Sequence, residues 1–457
     1  MGRELEGLSL GDQRIDARAV EIASRLAVAP DDSFPEQMSS EAELEALYRF
    51  FSNPKVTMEG LLAPHVTATR ERMTAHSVVR IVHDTTSFRF VGERDGLGIL
   101  KGSTKGFFAH TSLAISGDEA CEPLGVLAMR PFIHTETVSR RKMTRAERVR
   151  ATKERPRAHR ESSRWERQAV DVQTALPMST HAIHLMDQEG DDFHVYAELL
   201  SAGLHFVIRM KPERVTSERL PANVVLAREP AKVFRTVRLT ERKRVRVEHP
   251  ARAERDAELE IRWGAFDLRR RQPTEPRTVS LHAVHVFEPN PPAGQDAIEW
   301  MLVTTEAVDN VDDATAIVDH YRARWIVEEY FKALKTGCAI EKRQLTSLVG
   351  LTNALALFVP IAWSLLVLRH LARSEPTRRA THLFTKDELL LLRALLEERG
   401  QKLPTALSVR DAMLAIARLG GHIRNNGDPG WIVLGRGYLR FAEAKVIWDL
   451  ARRYDQS

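Results

Sequence analysis

The chain has little cysteine and no long uninterrupted apolar run. Its 457 residues include only two cysteines, Cys121 and Cys338, which lack ligand-type spacing, so the sequence predicts neither a disulfide framework nor a zinc finger. The longest apolar stretch, residues 351–368, contains polar residues and Pro360, which favours a buried helix over a membrane span. The first residues form no apolar signal region. These absences predict a protein of a reducing cytoplasm with no membrane partner.

Length and charge distribution predict several domains and a polyanionic partner. A chain of 457 residues is too long for one compact core and predicts about two to four domains. The net charge is only +5, but arginine and lysine crowd residues 140–160 and again residues 232–246. Such clusters favour phosphate contacts and counterion release. The alternative is a solvated helix face or loop.

The order of sequence patterns predicts a mixed α/β protein. Residues 1–75 carry helical patterns, with Ser40 and Glu43 spaced as a capping box. Short β-branched and apolar runs follow, among them VVRIVHD, AIHLMD and HFVIRMK, and residues 231–305 are mostly short β-prone pieces. From Asp313 onward the pattern is helical. This order predicts an α/β core with a β-rich insertion.

Two aspartates follow apolar runs that are predicted to be buried strands. Asp84 comes after VVRIVH, and Asp187 comes after AIHLM. A carboxylate at the end of a strand is well placed for a hard cation such as Mg²⁺, which takes oxygen ligands and keeps several waters. Aspartate is also common there simply because it favours turns, so each residue alone leaves both interpretations open.

The segment YRARWIVEEYFKALKTG predicts a helix with a polar stripe. At about 100° per residue, Arg324, Glu328 and Lys335 fall within roughly 60° of Tyr321, and Trp325 lies beside them. One interpretation is a surface face with an i,i+4 pair between Arg324 and Glu328. The other is a face that grips phosphates around one metal-binding carboxylate.

Several segments together resemble one protein family. The spacing Tyr-x-x-Arg-x-x-x-Glu-x-x-x-x-x-x-Lys resembles the signature of a group of bacterial cut-and-paste transposases, the insertion-sequence-four family. LGDQRIDAR and YRFFSNPKV resemble its N-terminal DNA-binding domain, DTTS its first catalytic strand, and AIARLGGH its C-terminal helical region. The resemblance spans nearly the whole chain. The arginine-rich run at 140–160 and a shorter region after Ala372 depart from it.

The resemblance implies a fold and a domain organisation. It implies an α/β fold, with a ribonuclease-H-like catalytic core that carries a β-rich insertion and is flanked by helical N- and C-terminal domains. The DNA-binding domain would cover residues 1–75, and the catalytic domain residues 76–345 with its insertion at about 231–305. The C-terminal dimerisation domain would cover residues 346–457.

The resemblance also implies a set of site residues. Asp84, Asp187 and Glu328 would be the Asp-Asp-Glu triad holding two Mg²⁺ ions, for which Mn²⁺ can substitute. The residues expected at DNA are the backbone contacts Tyr321, Arg324, Lys332, Lys335, Arg209 and Lys211, and the tryptophans Trp300 and Trp325 of a flipped-base pocket. Trp300 is equally a candidate core residue beside Met301.

The activity implied by the resemblance is DNA transposition. The protein would bind transposon ends, cleave strands with metal, form a hairpin and transfer the end into target DNA. Its partners would be double-stranded DNA, both ends and target, and a second copy of the chain in the end complex. The segment GYLRFAEAKVIWDLARRY is a candidate interface helix, and packing on its own domain is the alternative. The place of action would be the bacterial nucleoid.

Two other functions fit the same residues. A ribonuclease-H-like nuclease or resolvase would cut without joining. A non-catalytic DNA-binding inhibitor derived from a transposase would pair with active copies, although three intact acidic positions disfavour it. The 17 histidines show no spacing that indicates zinc or haem, and HAIH and LHAVH are typical of strand alternation.

Overall fold

Helices and strands occur in the order expected of a mixed α/β chain. The computed structural model describes residues 2–28, 32–134, 144, 147, 162–177, 179–241, 252–270, 277–423 and 427–455. The helices are α1 (Gln13–Val28), α2 (Phe34–Gln37), α3 (Glu41–Phe51), α4 (Met58–Met73), α5 (Ser163–Thr174), α6 (Phe193–Ser201), α7 (Ala222–Leu226), α8 (Val311–Ala323), α9 (Ile326–Lys332), α10 (Leu348–Ser374), α11 (Lys386–Glu397), α12 (Val409–Leu419) and α13 (Trp431–Asp455). The strands are β1 (Val78–Phe90), β2 (Gly98–Lys101), β3 (Thr104–Ser116), β4 (Pro123–Phe132), β5 (His181–Met186), β6 (His205–Met210), β7 (Lys232–Leu239), β8 (Arg255–Arg269), β9 (Thr278–Phe287) and β10 (Glu299–Thr304).

The chain divides into two units. The first unit comprises Met1–Val79, Thr85–Arg150 and Trp325–Ser457, and the second comprises Arg80–Asp84 and Ala151–Arg324. Strand β1 therefore contributes residues to both. The three-domain division at residues 75 and 345 stays a prediction.

The second unit is built on a sheet in the order β1-β5-β6-β10-β9-β8-β7. Strands β5 and β6 are parallel, with Ile183 opposite His205, whereas the pairs from β6 to β7 are antiparallel. Because β5 and β6 are covered on both faces, their sequences are nearly continuous apolar runs. Helices α5 and α6 bury Trp165 and Phe193 against Phe206 of β6. The β-rich block predicted between residues 231 and 305 is confirmed.

The first unit is organised around the long helix α10. Most of its side chains are buried, as is typical of a helix that is apolar on every face. In the described part of the chain, α10 alone has the length and apolar character to cross a membrane, with a mean hydropathy of 2.0. However, 89% of its apolar window is buried inside the protein. The buried helix predicted from residues 351–368 is confirmed.

The C-terminal helix α13 packs on its own unit. Leu434 and Phe441 are buried in a core shared with α10, α11 and α12, and Trp448 packs partly against it. Ile432 and Ile447 remain exposed. Packing within the unit is thus present, and some apolar surface is left on the same helix. The side chains of residue 446 and of residues 449–455 lie outside the described part.

The helix start predicted at Ser40 is confirmed in part. The Ser40 side chain accepts a hydrogen bond from the Glu43 backbone nitrogen at 3.3 Å. The Glu43 carboxylate, in contrast, accepts from the Ser39 nitrogen and from Arg25. Because Arg25 supplies charge from α1, Glu43 links two helices instead of closing a reciprocal capping box with Ser40.

A buried carboxylate fastens the N-terminal segment to α4. Glu4 is hydrogen-bonded to His65 Nδ1 and accepts from Arg72 Nη1 at 2.8 Å. The Val126 nitrogen donates to His65 Nε2 at 3.0 Å, so a neutral imidazole satisfies both contacts. Burial alone would raise the pKa of Glu4, but the His65 hydrogen bond and the charge of Arg72 lower it to about 2.

Candidate active site

Asp84 lies inside strand β1 and not at its end. The strand runs through Asp84 and continues to Phe90. Phe88 and Phe90 are buried and stack near Phe107, with ring centroids 5.2 and 5.8 Å away. This packing extends the strand past the aspartate. The strand-end position predicted for Asp84 is therefore wrong, although the apolar run before it does form a buried strand.

Asp187 lies at the end of β5, as predicted. It directly follows Met186 and caps a short 3₁₀ turn, Gln188–Gly190. Its Oδ1 accepts a hydrogen bond from the Glu189 nitrogen at 2.8 Å. The turn interpretation of this aspartate is thus correct, and it leaves the half-buried carboxylate fixed at the carboxyl end of a parallel strand.

Arg324 places a buried cation beside Asp84 and within electrostatic reach of Asp187. Its Nη1 donates to Asp84 Oδ2 at 2.9 Å, and the two side chains are only 11% and 10% exposed. The guanidinium carbon lies 5.7 Å from the centroid of the Tyr321 ring. Burial would lower the pKa of Arg324, but Tyr321, Asp84 and Asp187 together hold it above its ordinary value. Asp84 is thus bonded to this cation, and the charge of Asp187 also stabilises it.

The helix predicted through Tyr321 is interrupted. Helix α8 ends before Arg324 and α9 begins after Trp325. The Arg324 nitrogen donates to the Tyr321 carbonyl, only three residues earlier, which is the tighter 3₁₀ spacing. The prediction of one uninterrupted α-helix is therefore wrong, although Arg324 and Trp325 both keep right-handed helical dihedral angles. The Arg324 side chain is held by Asp84, so it is not the surface residue that an i,i+4 pair would need.

Trp300 and Arg209 lie close to Tyr321. The Trp300 and Tyr321 rings meet edge to face at 5.7 Å, and Trp300 is half-buried. Burial raises the pKa of Tyr321, while the charges of Arg324 and Arg209 act to lower it. Strand β6 brings Arg209 opposite Leu302 of β10. These contacts leave both interpretations of Trp300, core residue or base-stacking surface, in place.

The buried carboxylate of Asp191 has no signal in the sequence. Asp191 Oδ1 accepts from the Tyr196 hydroxyl at 2.6 Å and lies 2.6 Å from Arg214 Nε. Its Oδ2 accepts from the backbone nitrogen of Lys211, whose side chain is exposed beyond β6. These bonds tie the turn after Asp187 to the segment after β6. The partners come from separate elements, so no local spacing reveals them.

In the first unit, Lys335 is held next to the second half of β1. Its Nζ donates to Thr86 Oγ1 at 2.7 Å and lies 5.4 Å from the Phe88 ring centroid. Burial lowers the pKa of Lys335, and the nearby carboxylates of Glu341 and Glu328 act in the opposite direction. Glu328 itself is half-buried in α9.

The other two DNA-contact candidates of the first unit are on its surface. Trp325 is 62% exposed. Lys332 is exposed and pairs with Glu329 at 2.5 Å in an i,i+3 arrangement. Exposed pairs of this kind contribute little to stability, so Lys332 can exchange its partner for a phosphate at small cost.

Of the two basic stretches at residues 140–160 and 232–246, the structure describes part of the second but little of the first. Most of residues 140–160 lie outside the described residues, and their role stays a prediction. In the second stretch, Arg235 forms a bidentate ion pair with Asp319, and Arg238 forms ion pairs with Glu254 and Asp256. Acidic neighbours thus pair with the two described arginines of this stretch, which favours the solvated-face interpretation for them.

Comparison with known proteins identifies two domains. Residues 1–56 match the family model described as transposase DNA-binding, and residues 162–362 match the model described as transposase DDE domain. The chain belongs to the DDE transposases. The DDE match contains Asp187 and Glu328, whereas Asp84 precedes it. The expected α/β fold with a ribonuclease-H-like core is confirmed.

Among solved structures, one similar chain is described as a piggyBac transposase synaptic complex with hairpin DNA. It is 11% identical, with a TM-score of 0.38, over 93% of this chain and 71% of that chain.

Proposed function

We propose that this DDE transposase cuts DNA at transposon ends and joins them to target DNA, using Asp84, Asp187 and Glu328 as its metal-binding triad. The observation that carries the proposal is the buried Arg324 guanidinium, bonded to Asp84 and under the influence of Asp187. Asp84 and Asp187 place two negative charges against this one cation, and the net negative charge that remains favours a divalent metal. Glu328 is the acidic residue four positions after Arg324 in the matched domain.

The donor set fits a hard divalent cation. DDE transposase domains use divalent metal ions, and carboxylate oxygens are the ligands that Mg²⁺ prefers. We propose Mg²⁺ as the natural ion, two per site, with Mn²⁺ as a substitute. When bound, such ions stabilise charge on the attacking and leaving oxygens of a phosphodiester.

The side chains around the triad supply binding and orientation. Arg324, Arg209 and Lys335 are cations suited to phosphate oxygens, and Arg324 presents a planar fork for two hydrogen bonds. The Tyr321 ring packs edge to face with Trp300 and keeps that indole half-buried, which suits stacking on an expelled base. Exposed Trp325 offers a second such surface.

The finer family placement follows from the helix signature. We assign the chain to the insertion-sequence-four family, close to the transposon-five transposase, and infer a hairpin intermediate at the transposon end. Its place of action is the bacterial cytoplasm at the nucleoid. The DNA-binding domain at residues 1–56 would hold the end sequence.

The test of the triad is a paired substitution on one helix. Glu328→Gln removes the ligand charge but keeps the side-chain shape, so end binding should persist and cleavage should fall by at least a thousandfold. Glu329→Gln, its neighbour in the surface pair with Lys332, should leave both nearly unchanged. Cleavage and joining of labelled end DNA are measured with Mg²⁺. If Glu328→Gln cuts at a near wild-type rate, Glu328 has a structural role only. If the wild-type protein cuts the end DNA but does not join it to a target, the protein is a nuclease.

We further propose a dimer in which each subunit cleaves the end bound by the other. Two-fold symmetry lets one surface serve both transposon ends. Apolar Ile432 and Ile447, exposed on α13, offer part of that surface. A Glu328→Gln subunit is mixed with a catalytically intact subunit that cannot bind ends. Activity that appears only in the mixture supports cleavage in trans, whereas full-rate cutting by a DNA-bound monomer contradicts it.

A further inference from the structure

Three potential metal ligands converge where β5 and β6 begin. His181 is the first residue of β5, His205 is the first residue of β6, and Glu306 follows the end of β10. One ligand atom from each residue lies within 4.8 Å of the others. His205 Nδ1 is 2.6 Å from one Glu306 carboxylate oxygen, and His181 Nε2 is 3.5 Å from the other.

Regular strand pairing fixes this convergence. Ile183 is opposite His205 in the parallel pair, and His181 is two residues earlier, on the same face of β5. Thr304 is opposite Val207 in the antiparallel pair, so continuing the register places Glu306 opposite His205. The Phe206 nitrogen also donates to Thr305 Oγ1 at 3.1 Å. The three side chains are therefore held by adjacent backbones before any ligand arrives.

We propose that His181, His205 and Glu306 form a transition-metal site, with Zn²⁺ as the ion that fits best. Two imidazoles and one carboxylate are typical zinc ligands, and three protein ligands leave a coordination position for water. Imidazole donors favour Zn²⁺ over Mg²⁺, which prefers oxygen. The side chains of His181, His205 and Glu306 are 36%, 47% and 23% exposed, so an ion can reach them from solvent.

This site is separate from the proposed triad and does not rest on it. Strand β5 runs from His181 to Met186, with Asp187 next. At about 3.3 Å per residue, His181 and Asp187 are roughly 20 Å apart along the strand. The site joins the starts of two parallel strands to the segment that leads into α8. An ion there would brace the second unit, so its loss should lower stability.

The competing explanation is a metal-free cluster in which Glu306 accepts hydrogen bonds from one or both imidazoles. It predicts no saturable metal binding. The test uses the full-length protein without a histidine tag, stripped with a chelator. Zn²⁺ binding is followed by calorimetry, and Co²⁺ binding by its visible absorption, both with excess Mg²⁺ present to cover oxygen-rich sites.

The expected result is one equivalent of Zn²⁺ bound at micromolar affinity or tighter, with a raised Tm and a tetrahedral Co²⁺ spectrum. His205→Gln and Glu306→Gln should each weaken binding by at least tenfold, with folding verified by circular dichroism. Asp187→Asn should leave it unchanged. His382→Gln is the matched control, because His382 Nε2 lies 2.9 Å from an oxygen of Glu122, whose other partner is Arg378 and not a second imidazole.

The proposal is overturned if the wild-type protein binds no Zn²⁺. It is also overturned if His205→Gln and Glu306→Gln bind Zn²⁺ as tightly as the wild type does. If a folded His181→Asn protein also binds Zn²⁺ as the wild type does, these three side chains do not hold the ion and form only a hydrogen-bonded cluster. Loss of binding in Asp187→Asn would place the ion at the triad instead. The cleavage assay with Glu328→Gln is independent, so failure of one proposal is distinguishable from failure of the other.

Discussion

Breaking the buried pair between Arg324 and Asp84 should destabilise the protein strongly. At 2.9 Å and an effective dielectric constant of about 20, the attraction amounts to about 6 kcal/mol before desolvation. Removing one partner of a buried pair costs about 3–5 kcal/mol, because the other charge stays buried without compensation. Arg324→Met should fall at the upper end of this range. Asp84→Asn should lower the free energy of unfolding by less, because Tyr321 and Asp187 still stabilise the charge of the guanidinium.

The assay is a double-mutant cycle, in which urea and thermal unfolding measure the stability of the wild type, the two single variants and the double variant. For a unit of this size, a loss of about 3–5 kcal/mol lowers Tm by roughly 6–20 °C. The double variant Asp84→Asn/Arg324→Met should be more stable than Arg324→Met alone, with a coupling energy of about 1–3 kcal/mol. Lys332→Met, which removes an exposed pair with Glu329, is the control and should cost less than about 1 kcal/mol. Additive single effects, or an Arg324→Met loss no larger than the control's, would refute the reasoning.

Two further predictions concern charge elsewhere in the chain. The pKa of Glu4 is lowered to about 2, so the stability from this group is present above its ordinary pKa and is lost as pH falls toward 2. Glu4→Gln should therefore lower the free energy of unfolding by up to about 3 kcal/mol near neutral pH. The variant should also lose less stability than the wild type as the pH falls. The same loss in both proteins would contradict this. Neutralising about four arginines within residues 140–160 should reduce the slope of log affinity against log salt by about four. An unchanged slope would make that run a solvated surface.

Local sequence patterns predicted the strands well. The apolar runs before Asp84 and Asp187 form strands β1 and β5, because strands buried on both faces need apolar residues throughout. The same patterns could not show that β1 continues past Asp84. That extension depends on aromatic packing against Phe107, which lies on β3 and is distant in sequence.

Residues whose roles depend on long-range contacts were harder to predict. The helix break at Arg324 accompanies an ion pair with Asp84, 240 residues away. His181 lies in HAIH, a pattern typical of strand alternation, and its partners His205 and Glu306 come from β6 and from the segment after β10. Spacing rules for metal sites assume ligands on one loop or helix, and here two strands and the segment after a third supply them.

The most direct test of the triad is the position of Mn²⁺ in a complex with transposon-end DNA. Anomalous scattering at the manganese edge locates the ions independently of any assumption about ligands. The account predicts Mn²⁺ within about 2.0–2.4 Å of carboxylate oxygens of Asp84, Asp187 and Glu328, with a DNA phosphate completing the shell. Manganese found only elsewhere, for example at His181 and Glu306, with Glu328 pointing away from the DNA, would contradict it.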